Sequence, residues 1–303
     1  MMATAAADEM PVSPGVLTAQ QHYALSVTLF ALATIGTVMG SMNIRMFLSN
    51  PEFIARGGLF YLNMVISDMC MAMLESPFTA ISHFHGKWMF GDVACRLYGF
   101  AGMFFGISNI FMLAFISLDR CWTTCSPTEV EQKAKFYPLM VAIGWFVGLV
   151  SAGAPLFGWS SYEYEPSGTS CALDYMKNDA TYIRYIICVF VTCFAVPILI
   201  MVYSYGKASR VVKATGKVTD WANESNVTLQ SALCVMQLVF CWGMYGVNCL
   251  WTVFAPSSTL PPMLTVIAPV LAKTSPIINS WLYIYRVKKF RGAVGDMFKP
   301  KEE

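Results

Sequence analysis

The sequence predicts an all-α membrane protein with seven transmembrane helices and its N-terminus outside. Three observations carry that prediction. Hydrophobic residues make up 56% of the 303 positions and charged residues only 13%, about half the charged share of an ordinary soluble domain. The apolar residues fall in seven runs, roughly 22–48, 58–82, 95–121, 136–157, 180–206, 229–254 and 263–285, and a bilayer crossing takes about 20 residues. Lys and Arg are spread unevenly over the connecting segments, which sets the orientation.

The first run follows a polar arm, residues 1–21, that holds no Lys or Arg, and it is full length, so it does not read as a cleavable signal peptide. The second run carries Asp68 and, seven residues on, Glu75, two turns along one helix face. The third begins at Cys95 and includes Gly102 and Gly106, one turn apart. The fourth is the shortest and its ends are the least defined. The fifth leads into a cytosolic loop with Lys207, Arg210, Lys213 and Lys217, and the seventh leads into a tail with Arg286, Lys288, Lys289, Arg291, Lys299 and Lys301. The loop "APSSTLPP" before the seventh run has no basic residue. Residues 22–285 therefore read as one bundle, flanked by the outer arm and a cytosolic segment, 286–303. The net charge of +2 reflects this cytosolic bias and gives no reason to invoke nucleic acid.

Of the ten cysteines, Cys70, Cys188, Cys193, Cys234, Cys241 and Cys249 lie inside apolar runs, where cysteine acts as a small hydrophobe. Cys95 and Cys171 fall at outer positions, where disulfides persist. A bridge between them would tie the top of the third helix to the second outer loop. No CxxC pair or histidine cluster is present in the sequence, so no metal site is expected. Asn223 and Asn226 open glycosylation-like triplets, "NES" and "NVT", but the topology puts them in the cytosol and excludes them as glycan sites.

Lys273 is the sole charge between Thr259 and Tyr285. It lies about 16 Å along the helix from Pro262 at 1.5 Å per residue, roughly half the hydrocarbon thickness. A lysine stem is too short to reach either surface from there, and intramembrane lysines mark function. A buried amine is ion-paired, or exposes a nucleophilic form suited to an aldehyde. The residues alone give a reactive or paired lysine in a seven-helix bundle, without naming the aldehyde.

With these residues in view, the chain resembles an opsin over nearly its whole length. Asn43 and Asp68 look like the polar pair of class A receptors, and "SLDRC", with Asp119 and Arg120, matches the end of the third helix. Trp145 matches the fourth helix, Pro197 and Tyr205 the fifth, and "CWGMYG", with Trp242 and Tyr245, the sixth. Lys273 followed by Asn279 and Tyr283 has the spacing of the opsin retinal lysine and seventh-helix motif. "RVKKFRGAV" looks like a short amphipathic eighth helix. Within opsins, "PLFGWSSYEYEPSGTSCALDYMKND", "GFAGMFFGISNIFML" and "PPMLTVIAPVLAKTS" are most similar to the retinochrome, peropsin and retinal G-protein-coupled-receptor group.

The resemblance implies a retinal chromophore on Lys273 as a Schiff base, all-trans in the dark with 11-cis as photoproduct. A buried cation needs an anion beside it, and three positions compete. Tyr98, three residues after Cys95, replaces the glutamate of vertebrate visual pigments and brings no charge near neutral pH. Glu165, six residues before Cys171, matches the second-loop counterion of many other opsins and is the expected counterion, with Glu75 the alternative; Glu163 is assigned to solvent. Gly102 and Gly106 either clear a path for the polyene or pack helices closely. Phe190 and Phe194 fit the ionone end, and Trp242 and Tyr245 flank the chain of double bonds. Asp119, Arg120, Tyr205, Asn279 and Tyr283 form the G-protein-side switch.

Two functions stay open: a light-driven retinal isomerase, and a G-protein-coupled signalling photoreceptor using the same chromophore. The activation motifs depart from the class A pattern at Cys121, Met244 and Ser280, the last two replacing prolines that kink helices. The segment after Tyr285 holds no Ser, Thr or Cys for phosphorylation or palmitoylation. These departures favour the isomerase; Arg120, Tyr205 and Tyr283 keep the second reading alive. A transporter would show internal repeats, which the sequence lacks. The implied partners are retinoid, membrane lipid and a retinoid carrier protein, with the G protein open between the two readings. The implied location is the plasma membrane or an internal membrane of a photoreceptor cell.

Overall fold

A computed structural model describes residues 17–54, 57–215, 227–286 and 292. Most of the outer arm, Asn223, Asn226, Lys217 and the eighth-helix segment lie outside the described residues, as does the side chain of Tyr283.

The seven runs become helical spans. The first is one helix, Ala19–Ser49, started by a capping box in which the Thr18 side chain accepts from the Gln21 backbone N–H. The second is two segments, Gly58–Leu74 and Ser76–His85. The third is a single helix, Gly91–Cys125. The fourth, Tyr137–Gly153, closes with a tight turn over Ala154–Phe157. The fifth runs from Ala180 to Val189, passes through a wider π-type turn at Phe190–Ala195, and continues from Val196 to Thr215. The sixth is Val227–Phe254, and the seventh is Pro262–Ala272 followed by Ser275–Arg286. Five of these described spans are long and apolar enough to cross a membrane as single stretches.

The interruptions have a common cause. Proline lacks the N–H that would bond the carbonyl four residues back, and its ring crowds that carbonyl. Pro77 breaks the second span at Glu75, and Pro197 follows the wide turn of the fifth. Pro276 follows the break at Lys273 and Thr274, where Thr274 N–H bonds the Leu271 carbonyl in a tighter three-residue turn. The sixth span has no proline and runs unbroken past Met244. Lys207, Arg210 and Lys213, expected in a loop, instead ride on the cytosolic extension of the fifth helix.

The third span is the axis of the bundle. Its twelve residues from Gly106 to Ser117 are all buried, as expected of a helix surrounded by other helices. Phe60, Phe111, Met112, Phe115, Ile116 and Tyr205 pack in the main core around it. The fourth span approaches through glycine: a Cβ at Gly144 would sit 2.6 Å from the Met112 side chain, and one at Gly148 only 2.4 Å from Ser108 Oγ.

The outer loop between the fourth and fifth spans forms a hairpin, β1 (Tyr162–Tyr164) antiparallel to β2 (Cys171–Leu173), with Tyr164 opposite Cys171. The Cys95–Cys171 disulfide anchors β2 to the third span. The Trp88 N–H bonds the Gly168 carbonyl at 2.7 Å, fixing the hairpin turn to the second span's outer end. Alternation of side chains along β1 leaves Glu163 exposed.

Candidate functional site

Beneath the hairpin lies a cavity of about 180 Å³. Its wall includes Tyr98, Gly102 and Gly106 of the third span, Phe190 and Phe194 of the fifth, and Trp242 and Tyr245 of the sixth. β2 closes it from outside with Cys171, Ala172 and Leu173. Glu75 and Lys273 provide the charged groups of the lining. All seven residues that sequence reasoning placed around the ligand therefore meet at one cavity.

The charged pair sits at the two proline-associated breaks. Glu75 joins the two segments of the second span, and Lys273 those of the seventh. Lys273 Nζ is 4.0 Å from Glu75 Oε2, with both side chains almost fully buried. Glu75 Oε1 is buried with no hydrogen-bond partner among the described residues. The ammonium also lies 5.4 Å from the centre of the Tyr98 ring, within reach of a cation–π attraction.

The direction of one hydrogen-bond chain can be deduced. Thr79 Oγ1 donates to the Glu75 carbonyl at 3.1 Å, which uses its only proton. In the 2.5 Å contact between Thr79 Oγ1 and the Tyr98 hydroxyl, Tyr98 must then be the donor. The phenol oxygen keeps only lone pairs for other neighbours, so toward Lys273 it is an acceptor. Sequence reasoning missed Thr79; its place one turn after Glu75 was the available signal.

Glu165 is held differently. It is buried in the hairpin turn, where one oxygen accepts from Ser170 Oγ and the other from the Tyr245 hydroxyl at 3.2 Å. Burial pushes its carboxyl above the usual range, opposed first by the hydrogen bond from Ser170. It does not line the cavity; Tyr245 stands between. Of the two competing carboxylates, Glu75 is the one beside the amine.

The glycines clear space for protein side chains as well as for the cavity. A Cβ at Gly102 would lie 3.2 Å from Glu75 Oε2, and one at Gly106 would lie 2.5 Å from the Trp242 ring. Phe190 and Phe194 face each other at 5.5 Å across the wide turn of the fifth span.

Below the cavity, Asp68 accepts from Asn109 at 2.6 Å and from Asn279 at 2.9 Å. Asn279 also donates to Ser275 Oγ, which accepts from Gln237 as well. Asn43, expected to pair with Asp68, is buried without a hydrogen-bond partner among the described residues; the third and seventh spans supply the amides instead. At the cytosolic end Tyr137 donates to Asp119 at 2.5 Å, Arg120 lies 3.8 Å from Asp119, and its guanidinium is 6.0 Å from the Tyr61 ring centre. Tyr205 is buried nearby in the core.

Comparison with known proteins agrees with this architecture. Residues 41–283 match the 7 transmembrane receptor (rhodopsin family) pattern. The visual pigment-like receptor peropsin of Mus musculus is 29% identical over 292 residues, covering 94% of this chain and 87% of that protein. A Gq-coupled rhodopsin of Mizuhopecten yessoensis is 28% identical, covering 92% and 60%. The crystal structure of squid rhodopsin superposes with a TM-score of 0.79 at 24% identity, covering 93% of this chain and 86% of that one. The chain belongs to the rhodopsin family of seven-transmembrane receptors, within its opsin group. It is a multi-pass integral membrane protein of an opsin-like photoreceptor family.

Proposed function

We propose that the protein binds retinal at Lys273 and photoisomerises it from all-trans to 11-cis. The observation that carries the retinal assignment is a buried amine and carboxylate at one end of an otherwise apolar and aromatic cavity. The donor set fits an aldehyde with a long apolar tail. Lys273 offers the amine that would hold it, and Glu75 Oε1, without a hydrogen-bond partner among the described residues, is placed to meet a cation there. Bound retinal supplies the light absorption and the double bonds that twist; the barrier is crossed in its excited state, so no acid–base dyad is required.

The chain's own residues hold, orient and exclude. Glu75 is the direct charge partner of the Lys273 nitrogen, and Tyr98, fixed as an acceptor there by Thr79, takes up an N–H on the same side. Glu165 adds negative charge at longer range through Tyr245. Trp242 against Gly106 narrows the middle of the cavity, and Phe190 and Phe194 wall the far end. The hairpin, pinned by Cys95–Cys171, keeps water off the charged end.

The choice of isomerase over receptor rests on the sixth span. A receptor of this family couples its pocket to the cytosol by moving the inner end of that helix, and a proline kink is the lever. Here the helix is continuous across Met244, which supports weak coupling. The test is extraction of retinoid from purified protein before and after illumination. All-trans in the dark and 11-cis after light is the expected result; 11-cis in the dark overturns the isomerase reading.

The second reading, a signalling photoreceptor, draws on the Asp119–Tyr137 and Arg120–Tyr61 contacts at the cytosolic end and on the likeness to a Gq-coupled rhodopsin. Light-dependent nucleotide exchange on a panel of G proteins would support it.

A further inference from the structure

A pair of histidines at the outer surface stands apart from the cavity. His22 opens the first span and His83 lies in the last turns of the second, 61 positions later. Their Nδ1 atoms are 3.0 Å apart, with the rings tilted by 48°. Neutral imidazole carries one N–H and one bare nitrogen, and the surroundings fix which is which. Thr169 Oγ1 donates its proton to Ser167 Oγ at 3.1 Å, so in its 3.2 Å contact with His83 Nε2 it must accept. His83 therefore carries its proton on Nε2 and presents a bare Nδ1 to His22.

The geometry points to a binding site for a divalent transition-metal cation, held by His22 Nδ1 and His83 Nδ1 with water completing its shell. Imidazole nitrogens bind zinc at about 2.0–2.1 Å in tetrahedral geometry, which places two of them about 3.3 Å apart; the present spacing is within a few tenths of an ångström of that. A metal-binding histidine characteristically donates its other N–H to an oxygen, which fixes the ring, and Thr169 already does this for His83. His83 is buried while His22 is half-buried, so the pair has a firm floor and an open side toward water. Imidazole ligands favour zinc, copper or nickel over magnesium or calcium. On binding, His22 gives up the proton between the two Nδ1 atoms to water and takes one up at Nε2, so it changes tautomer and stays neutral with its single proton on Nε2. Among the described residues no set of three or more metal-ligating side chains gathers, so this is a two-histidine site of modest affinity.

Its consequence is mechanical. The ion would join the first span, the second span and, through Thr169, the loop whose hairpin covers the cavity. This inference does not depend on what the cavity holds.

The test titrates zinc into the purified, EDTA-stripped full chain and follows its thermal unfolding, with magnesium in parallel. Zinc should raise the midpoint in a saturable way, as a ligand of the native state does, and magnesium should not. His22→Ala, a half-buried position that leaves the core intact, should weaken the zinc effect by at least about tenfold in midpoint concentration. Copper in place of zinc should give an electron paramagnetic resonance spectrum with coupling to two nitrogens, reduced to one in His22→Ala. No zinc effect on the parent chain, or an effect that His22→Ala leaves within about twofold, overturns the proposal.

Discussion

The outer and cytosolic halves of the bundle are built on different rules. In the outer half two spans are broken, a disulfide-pinned hairpin covers the cavity, and each break holds one member of the buried ion pair. In the cytosolic half the third and sixth spans continue without interruption, and the polar groups sit at or near helix ends, as with Asp119, Arg120 and Tyr137. The difference teaches where this fold spends its irregularity. Backbone breaks cost hydrogen bonds, and they occur here where charged side chains must be set at a given depth. They are missing from the sixth helix, where a receptor would use one as a hinge.

The sharpest way to break the comparison is Lys273→Ala. The outer half is proposed to exist for this amine, so the variant should lose the visible absorption band completely after incubation with retinal; a surviving band would refute the assignment. Next in size is Cys95→Ser. Opening a loop of 76 residues should cost roughly 2–5 kcal/mol, read as a fall in thermal midpoint and faster hydroxylamine access to the cavity. Cys125→Ser, at the cytosolic end, should change neither.

Tyr137→Phe probes the other half. It leaves the buried Asp119 oxygen without its donor, a loss of about 1–3 kcal/mol, and should leave the absorption band in place. Glu75→Gln should reduce the visible band at neutral pH by more than Glu165→Gln does, because Glu75 is the nearer carboxylate; the reverse order would return the counterion role to the loop. The smallest effect concerns pH. Glu165 has its carboxyl raised by burial, so its contribution to stability is fully present below the unfolded value and is lost as pH rises through the folded one. The thermal midpoint should decline between those two values, and Glu165→Gln should flatten the decline.

Much of this was legible in residue order. Seven apolar runs, the basic bias of two segments, and Lys273 alone in the seventh run follow from hydropathy and charge, which act locally and leave a linear trace. The cavity wall was also readable, since helical registers fixed by motifs bring Trp242, Tyr245 and Gly106 to one depth. The amides that bind Asp68 were not readable, because a shared depth does not decide which helix faces turn together: they come from the third and seventh spans. Thr79 was missed because its role lies in the direction of a proton, and only the position of Tyr98 sets that.

By itself, then, the chain order determined the number of spans, their orientation and the depth of the amine, because burying apolar side chains and keeping basic ones in water are local demands. Only the tertiary structure decided that Glu75, and not Glu165, lies beside Lys273, and that two histidines 61 positions apart meet. Such contacts depend on the rotation of one helix against another. Packing of whole faces sets that rotation, and no single residue type records it.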